Sequence, residues 1–128
     1  MYQPSFIPLR SVDPSGTSDL PATLLSSAAE LLDHGHYVGA AAGLRVAVET
    51  WCRSMARRHQ DWGDRPAAVP FWLVSLFLVR RGVLRPSDRH RLARIYRVAS
   101  AVMHGRQVAD DRLADLIAEA STITRLAS

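Results

Sequence analysis

Three polar residues near the end of one amphipathic stretch, Arg97, Ser100 and His104, have types and spacing suited to chemistry on a phosphate. A helix advances 100° per residue, so all three fall on one stripe, beside the apolar face of Leu92, Ile95, Tyr96, Ala99, Val102 and Met103. Arg97 and His104 lie two turns apart, roughly 10 Å along the axis, and long side chains converge on a single phosphate from such positions. An imidazole moves protons near neutral pH, and a guanidinium steadies the negative charge that develops on phosphoryl oxygens.

A second set lies earlier in the chain, where Arg45, Glu49 and Cys52 follow one flank of an apolar stripe and are placed to face the helix of Arg97. Each set also has a plainer reading. Arg45 and Glu49 are spaced four apart and can form an ordinary intrahelical ion pair, and His104 can simply close the C-terminus of its helix. Nothing local activates Cys52, which reads as structural, and a single cysteine excludes an intramolecular disulfide. His34 and His36 flank Gly35 without the further ligands that a metal site needs. No glycine-rich phosphate loop occurs, and the sequence implies neither metal nor cofactor.

The elements that position these residues are helical throughout. A first helix is expected from about Asp19, with Pro21 in its first turn and Leu24, Leu25, Ala28, Leu31 and Leu32 on one face, ending at Gly35. The second runs from about His36 to His59 and carries Tyr37, Ala40, Ala41, Leu44, Val48, Trp51 and Met55 at three- and four-residue spacing. Asp61 to Ala68 reads as a loop. Pro70 then opens a third helix that ends at Arg81-Gly82 and is apolar nearly all round, so Phe71, Trp72, Phe77 and Leu78 suggest deep core or a dimer seam, core being favoured. The fourth helix starts near Ser87, a good N-cap, and stops at His104-Gly105; the fifth starts at Asp110 and buries Leu113, Leu116, Ile117, Ala120 and Ile123.

With 128 residues, 48% of them hydrophobic, the chain suits one domain: an all-α, up-and-down bundle of about five helices over residues 19–128. Residues 1–18, with Pro4, Pro8, Pro14, Gly16 and several serines, read as a flexible or draped arm. The longest apolar run, Phe71 to Val79 with Ser75 inside it, is too short to span a bilayer, and a soluble cytoplasmic protein is expected.

All sixteen basic residues are arginine. From Arg45 to Arg106 thirteen arginines meet four acids, a balance of +9, whereas the remainder balances to −5. A basic middle of this kind attracts nucleic acid or an acidic partner, or else forms a solvated face offset by the acidic ends. No short helix–turn–helix with an exposed recognition face is evident, which argues against direct DNA binding.

The run Leu32-Asp33-His34-Gly35-His36-Tyr37-Val38-Gly39-Ala40, followed by Leu44-Arg45-Val46-Ala47-Val48-Glu49, resembles the opening of bacterial HEPN-like bundles. The likeness continues through Arg81-Gly82-Val83-Leu84 and culminates in Ile95-Tyr96-Arg97-Val98-Ala99-Ser100-Ala101-Val102-Met103-His104-Gly105. In that superfamily this last region holds an arginine, four to six intervening residues and a histidine, often with an asparagine or other polar residue near the arginine. Arg97 and His104 fit the spacing, whereas Val98 stands where a polar neighbour would be and Ser100 where the asparagine is sought. Arg53–His59 and Arg85–His90 share the spacing, and the position at the end of the fourth helix selects Arg97–His104.

The resemblance covers about residues 20 to 127. It implies a homodimer acting around RNA, in a toxin, defence or stress system with an antitoxin or neighbouring enzyme as protein partner. It also implies a metal-independent ribonuclease in which His104 transfers protons, Arg97 holds phosphate, and Arg45, Glu49 and Ser100 orient them. Many relatives of this type lack the nuclease site, so the alternative is a non-catalytic helical dimerisation or partner-binding module.

Overall fold

A computed structural model describes residues 20–66 and 68–127, all of whose regular structure is helical. The arm expected over residues 1–18 lies outside the described residues. Among the described residues five α-helices follow in order: α1 (Leu20–Asp33), α2 (Tyr37–Arg57), α3 (Phe71–Arg80), α4 (Pro86–Met103) and α5 (Asp110–Ala127). A single 3-10 turn, Gln60–Trp62, lies between α2 and α3.

The longest helix, α2, is the axis of the bundle and touches all four others. Its inward face is fully apolar: Ala40, Ala41, Leu44, Ala47, Val48 and Cys52 are each at most 1% exposed. Small residues allow α1 to lie close along it. A Cβ added at Gly43 would meet the Ala28 Cβ at 3.4 Å and the Leu24 carbonyl at 3.6 Å, so α1 passes close over Gly43. From the other side Leu92, Ile95, Ala99 and Val102 of α4 and Leu113, Leu116, Ile117, Ala120 and Ile123 of α5 complete the core. The faces read from three- and four-residue spacing on α4 and α5 are therefore the buried ones.

Three helices stop by the same device. At the end of α4, Gly105 takes a φ of +100°, the Gly105 N–H donates to the Val102 carbonyl and the Arg106 N–H to the Ala101 carbonyl, at 3.0 and 2.9 Å. That paired return satisfies carbonyls the helix leaves open, and the positive φ suits only glycine at low cost. Gly82 after α3 and Gly35 after α1 close their helices with the same pair of bonds.

Polar contacts then fix the helices against one another. Arg94 of α4 donates to Glu119 of α5 at 3.0 Å, and the Tyr37 hydroxyl at the start of α2 donates to Asp110 at the start of α5 at 3.2 Å. Arg89 of α4 reaches α3, donating to the Ser75 hydroxyl at 3.0 Å and to the Trp72 carbonyl at 3.1 Å. Ser75 is buried, so this pair supplies an interior hydroxyl with a charged donor.

Four local expectations are corrected. Ser87 is not the N-cap of α4; Pro86 is the first helical residue and Arg85 precedes it, gripping Asp88 through two nitrogens at 2.9 and 3.2 Å. A proline at the first helical position needs no N–H partner, and the carboxylate in the first turn favours the positive end of the helix dipole. Trp72 is not core: it is 59% exposed on the outer side of α3. Tyr37 also stands outside, 42% exposed. Conversely, the segment read as loop holds the 3-10 turn and the buried Trp62, whose ring packs edge-on to Phe77 at 4.8 Å.

Candidate functional site

The C-terminal half of α4 brings Arg97, Ser100 and His104 to one side of the helix, with Arg97 and His104 exposed. His104 is the residue at which the helix ends. Its Nδ1 lies 3.1 Å from the Ser100 carbonyl, and because a carbonyl only accepts, Nδ1 carries the hydrogen. That leaves Nε2 as the ring nitrogen able to take a proton.

Between them the Ser100 Oγ is buried and has no hydrogen-bond partner among the described residues. A hydroxyl without a partner costs folding free energy, which makes it the least explained polar atom of the site.

The second set divides. Glu49 does not pair with Arg45 but with Arg53, which donates through Nη2 at 2.9 Å and Nε at 3.2 Å. Both pairings are one turn long, and the glutamate takes the partner on its C-terminal side, the better orientation for an acid–base pair on a helix. Arg45 is thereby free for α4: its guanidinium lies over the Tyr96 ring, 4.9 Å from the centroid. Tyr96 is in turn stacked on Phe71 of α3, with centroids 4.4 Å apart and planes 3° from parallel. Arg45 thus sits against the residue preceding Arg97, while Glu49 is committed to a pair of its own.

Cys52 is fully buried, and burial pushes its thiol well above the ordinary range. It belongs to the core rather than to any reacting set. Among the described residues no group of three histidines, cysteines or carboxylates gathers as a metal site needs.

His34 provides an internal comparison. It ends α1 before Gly35, and its Nδ1 lies 2.8 Å from the Glu30 carbonyl, four residues back, as that of His104 does from Ser100. The histidine–glycine pair is therefore a helix stop in both places. What distinguishes His104 is the exposed Arg97 two turns up the same stripe.

Sequence reasoning missed a cationic cluster at the 3-10 turn. Arg65 lies over the Trp62 and Phe77 rings at 4.6 and 5.2 Å, and Arg81 lies over Phe77 at 5.3 Å while pairing with Asp61. Trp62, two residues before Asp64-Arg65 in an otherwise polar loop, was the available signal: an indole there needs somewhere to be buried.

No protein-family model, no curated protein and no solved structure matches the chain. Among the described residues no helix is long and apolar enough to cross a membrane.

Proposed function

We propose that the exposed end of α4 is one half of a metal-independent RNA-cleaving site in a HEPN-like homodimer. The observation that carries this reading is the pairing of exposed Arg97 with a His104 ring whose Nδ1 is held by a carbonyl, leaving Nε2 to act as base. In the reaction Nε2 takes the proton of a ribose 2′-hydroxyl, whose oxygen attacks the adjacent phosphorus. The bond to the 5′-oxygen breaks, leaving a 2′,3′-cyclic phosphate and a 5′-hydroxyl. Arg97 holds the non-bridging oxygens as their charge grows. The leaving oxygen needs a proton from a second group, and His104 of a second copy is of the right chemistry to give it. Arg45, held against Tyr96, and the Ser100 hydroxyl orient the pair; Glu49 acts only through its neutralisation of Arg53. Such a chain would work in the cytoplasm, in a toxin, defence or stress system, alongside an antitoxin or neighbouring enzyme.

The identical helix stop at His34 favours a second reading, in which His104 only closes α4 and the domain is a non-catalytic binding module. One experiment separates them: a mixed RNA pool is incubated in EDTA with the wild type, His104→Ala and His34→Ala. Loss of cleavage in His104→Ala, with His34→Ala fully active, is the expected result. Full cleavage by His104→Ala, or none by the wild type, would overturn the ribonuclease reading and leave the binding module.

A further inference from the structure

We infer that the cleft between the 3-10 turn and the outer face of α3 is a docking site for an acidic protein segment carrying aliphatic anchors. The cleft measures about 400 Å³, and its floor is aliphatic, built from Val69, Leu73 and Leu76. Leu73 is 39% exposed, and Trp72 beside it 59%, so the apolar surface continues beyond the cleft. An apolar floor of this kind gains by covering with apolar side chains.

The rim is cationic. Arg65, Arg80 and Arg81 all line the opening, and Asp61, paired with Arg81, is the carboxylate seen to offset them. Two of the three guanidinium groups are held in place by ring faces, Arg65 on Trp62 and Phe77 and Arg81 on Phe77. A stacked guanidinium has already lost the freedom that ion pairing would otherwise cost, and Arg65 keeps its N–H edge free, whereas Arg81 turns part of its edge to Asp61. The site therefore asks for carboxylates at its edge and aliphatic side chains at its centre, the pattern of an amphipathic acidic segment laid in a groove.

The same observations weigh against the other occupants. A nucleic-acid base needs an open ring face within the cleft, and the two rings that line it, Trp62 and Phe77, already carry arginines, while the exposed Trp72 lies outside the lining. A second copy using this face isologously would set one arginine rim against another. The inference is independent of the α4 reading, because no residue of the cleft belongs to the Arg97–His104 set.

The test is selection of random 12-residue displayed peptides on the immobilised full chain, followed by affinity measurement with synthetic copies. Enriched peptides are expected to combine leucine, isoleucine or valine with aspartate or glutamate. Arg80→Glu and Leu73→Ser alter exposed residues, and each is expected to weaken binding by about tenfold or more with unchanged circular dichroism. Arg80→Glu should regain affinity for a peptide whose acidic residue is replaced by arginine. Peptides enriched without acidic residues, or affinities untouched by both substitutions, would overturn the inference. So would a 12-nucleotide single-stranded RNA that binds in their place and is lost with Arg80→Glu, or self-association abolished by Leu73→Ser.

Discussion

Ser100 and Cys52 show how differently two interior polar atoms behave. The Ser100 Oγ is buried without a partner, so Ser100→Ala removes a desolvation cost and is expected to stabilise the chain by about 1 kcal/mol. If the hydroxyl orients the reacting pair, cleavage falls while the melting temperature rises, a divergence that a purely structural serine would not produce. Thermal melts and RNA cleavage on the same preparations check both halves. For Cys52, burial raises the thiol pKa in the fold, whereas the unfolded chain ionises near about pH 8.5. Below that value both states are protonated and the full stability is present; above it only the unfolded state loses its proton, so stability falls as pH rises. Tyr37 acts in the same direction at higher pH, its pKa raised by the hydrogen bond to Asp110. The chain has no lysine to complicate this range. Denaturant titrations at pH 8 and 10 should show the decline, and Cys52→Ala should flatten it. The native thiol should also resist a disulfide reagent that reacts freely in denaturant.

At the scale of elements, α3 buries Phe71, Val74, Ser75 and Leu78 but leaves its outer side open to solvent, and Arg89 ties it to α4 by two hydrogen bonds. Arg89→Ala is expected to cost about 1–2 kcal/mol and to speed hydrogen exchange selectively along α3, measured against unchanged protection of α2. The five helices themselves were legible in the sequence because apolar residues recur every three and four positions and because Gly35, Gly82 and Gly105 end three of them. The exposure of Trp72 was not legible. On a ten-residue helix with aromatic or aliphatic residues on every side, periodicity cannot tell the face toward α4 from the face toward solvent. The partner of Glu49 was equally hidden, since Arg45 and Arg53 stand one turn away on either side and only the proximity of Tyr96 draws Arg45 off. The stripe of Arg97, Ser100 and His104 was legible as a stripe, because it depends on helical geometry alone, while the carbonyl bond that fixes the His104 ring needed coordinates.

For the whole molecule, the decisive question is whether one α4 is enough. Arg97 and His104 are spaced by roughly 10 Å of helix rise, and their half-site presents one base and no second acid for the leaving oxygen. A composite site supplies the missing acid by bringing the His104 rings of two copies to one phosphate, one as base and one as acid, and it gives a quantitative expectation. His104→Ala is expected to be inactive alone. Mixed one to one with the wild type and allowed to exchange subunits, half the dimers are mixed, and each mixed dimer holds a single His104, one short of the base and acid that the step needs. Activity should fall to about one quarter of the wild-type value at equal total protein. If instead each subunit acts alone with its own Arg97 and His104, the mixture keeps about one half. Size measurement on the same samples separates that outcome from failed exchange, because a tagged variant and the untagged wild type must co-migrate before the activity is read. A chain that is monomeric at micromolar concentration would remove the composite site altogether, and with it the source of the second proton.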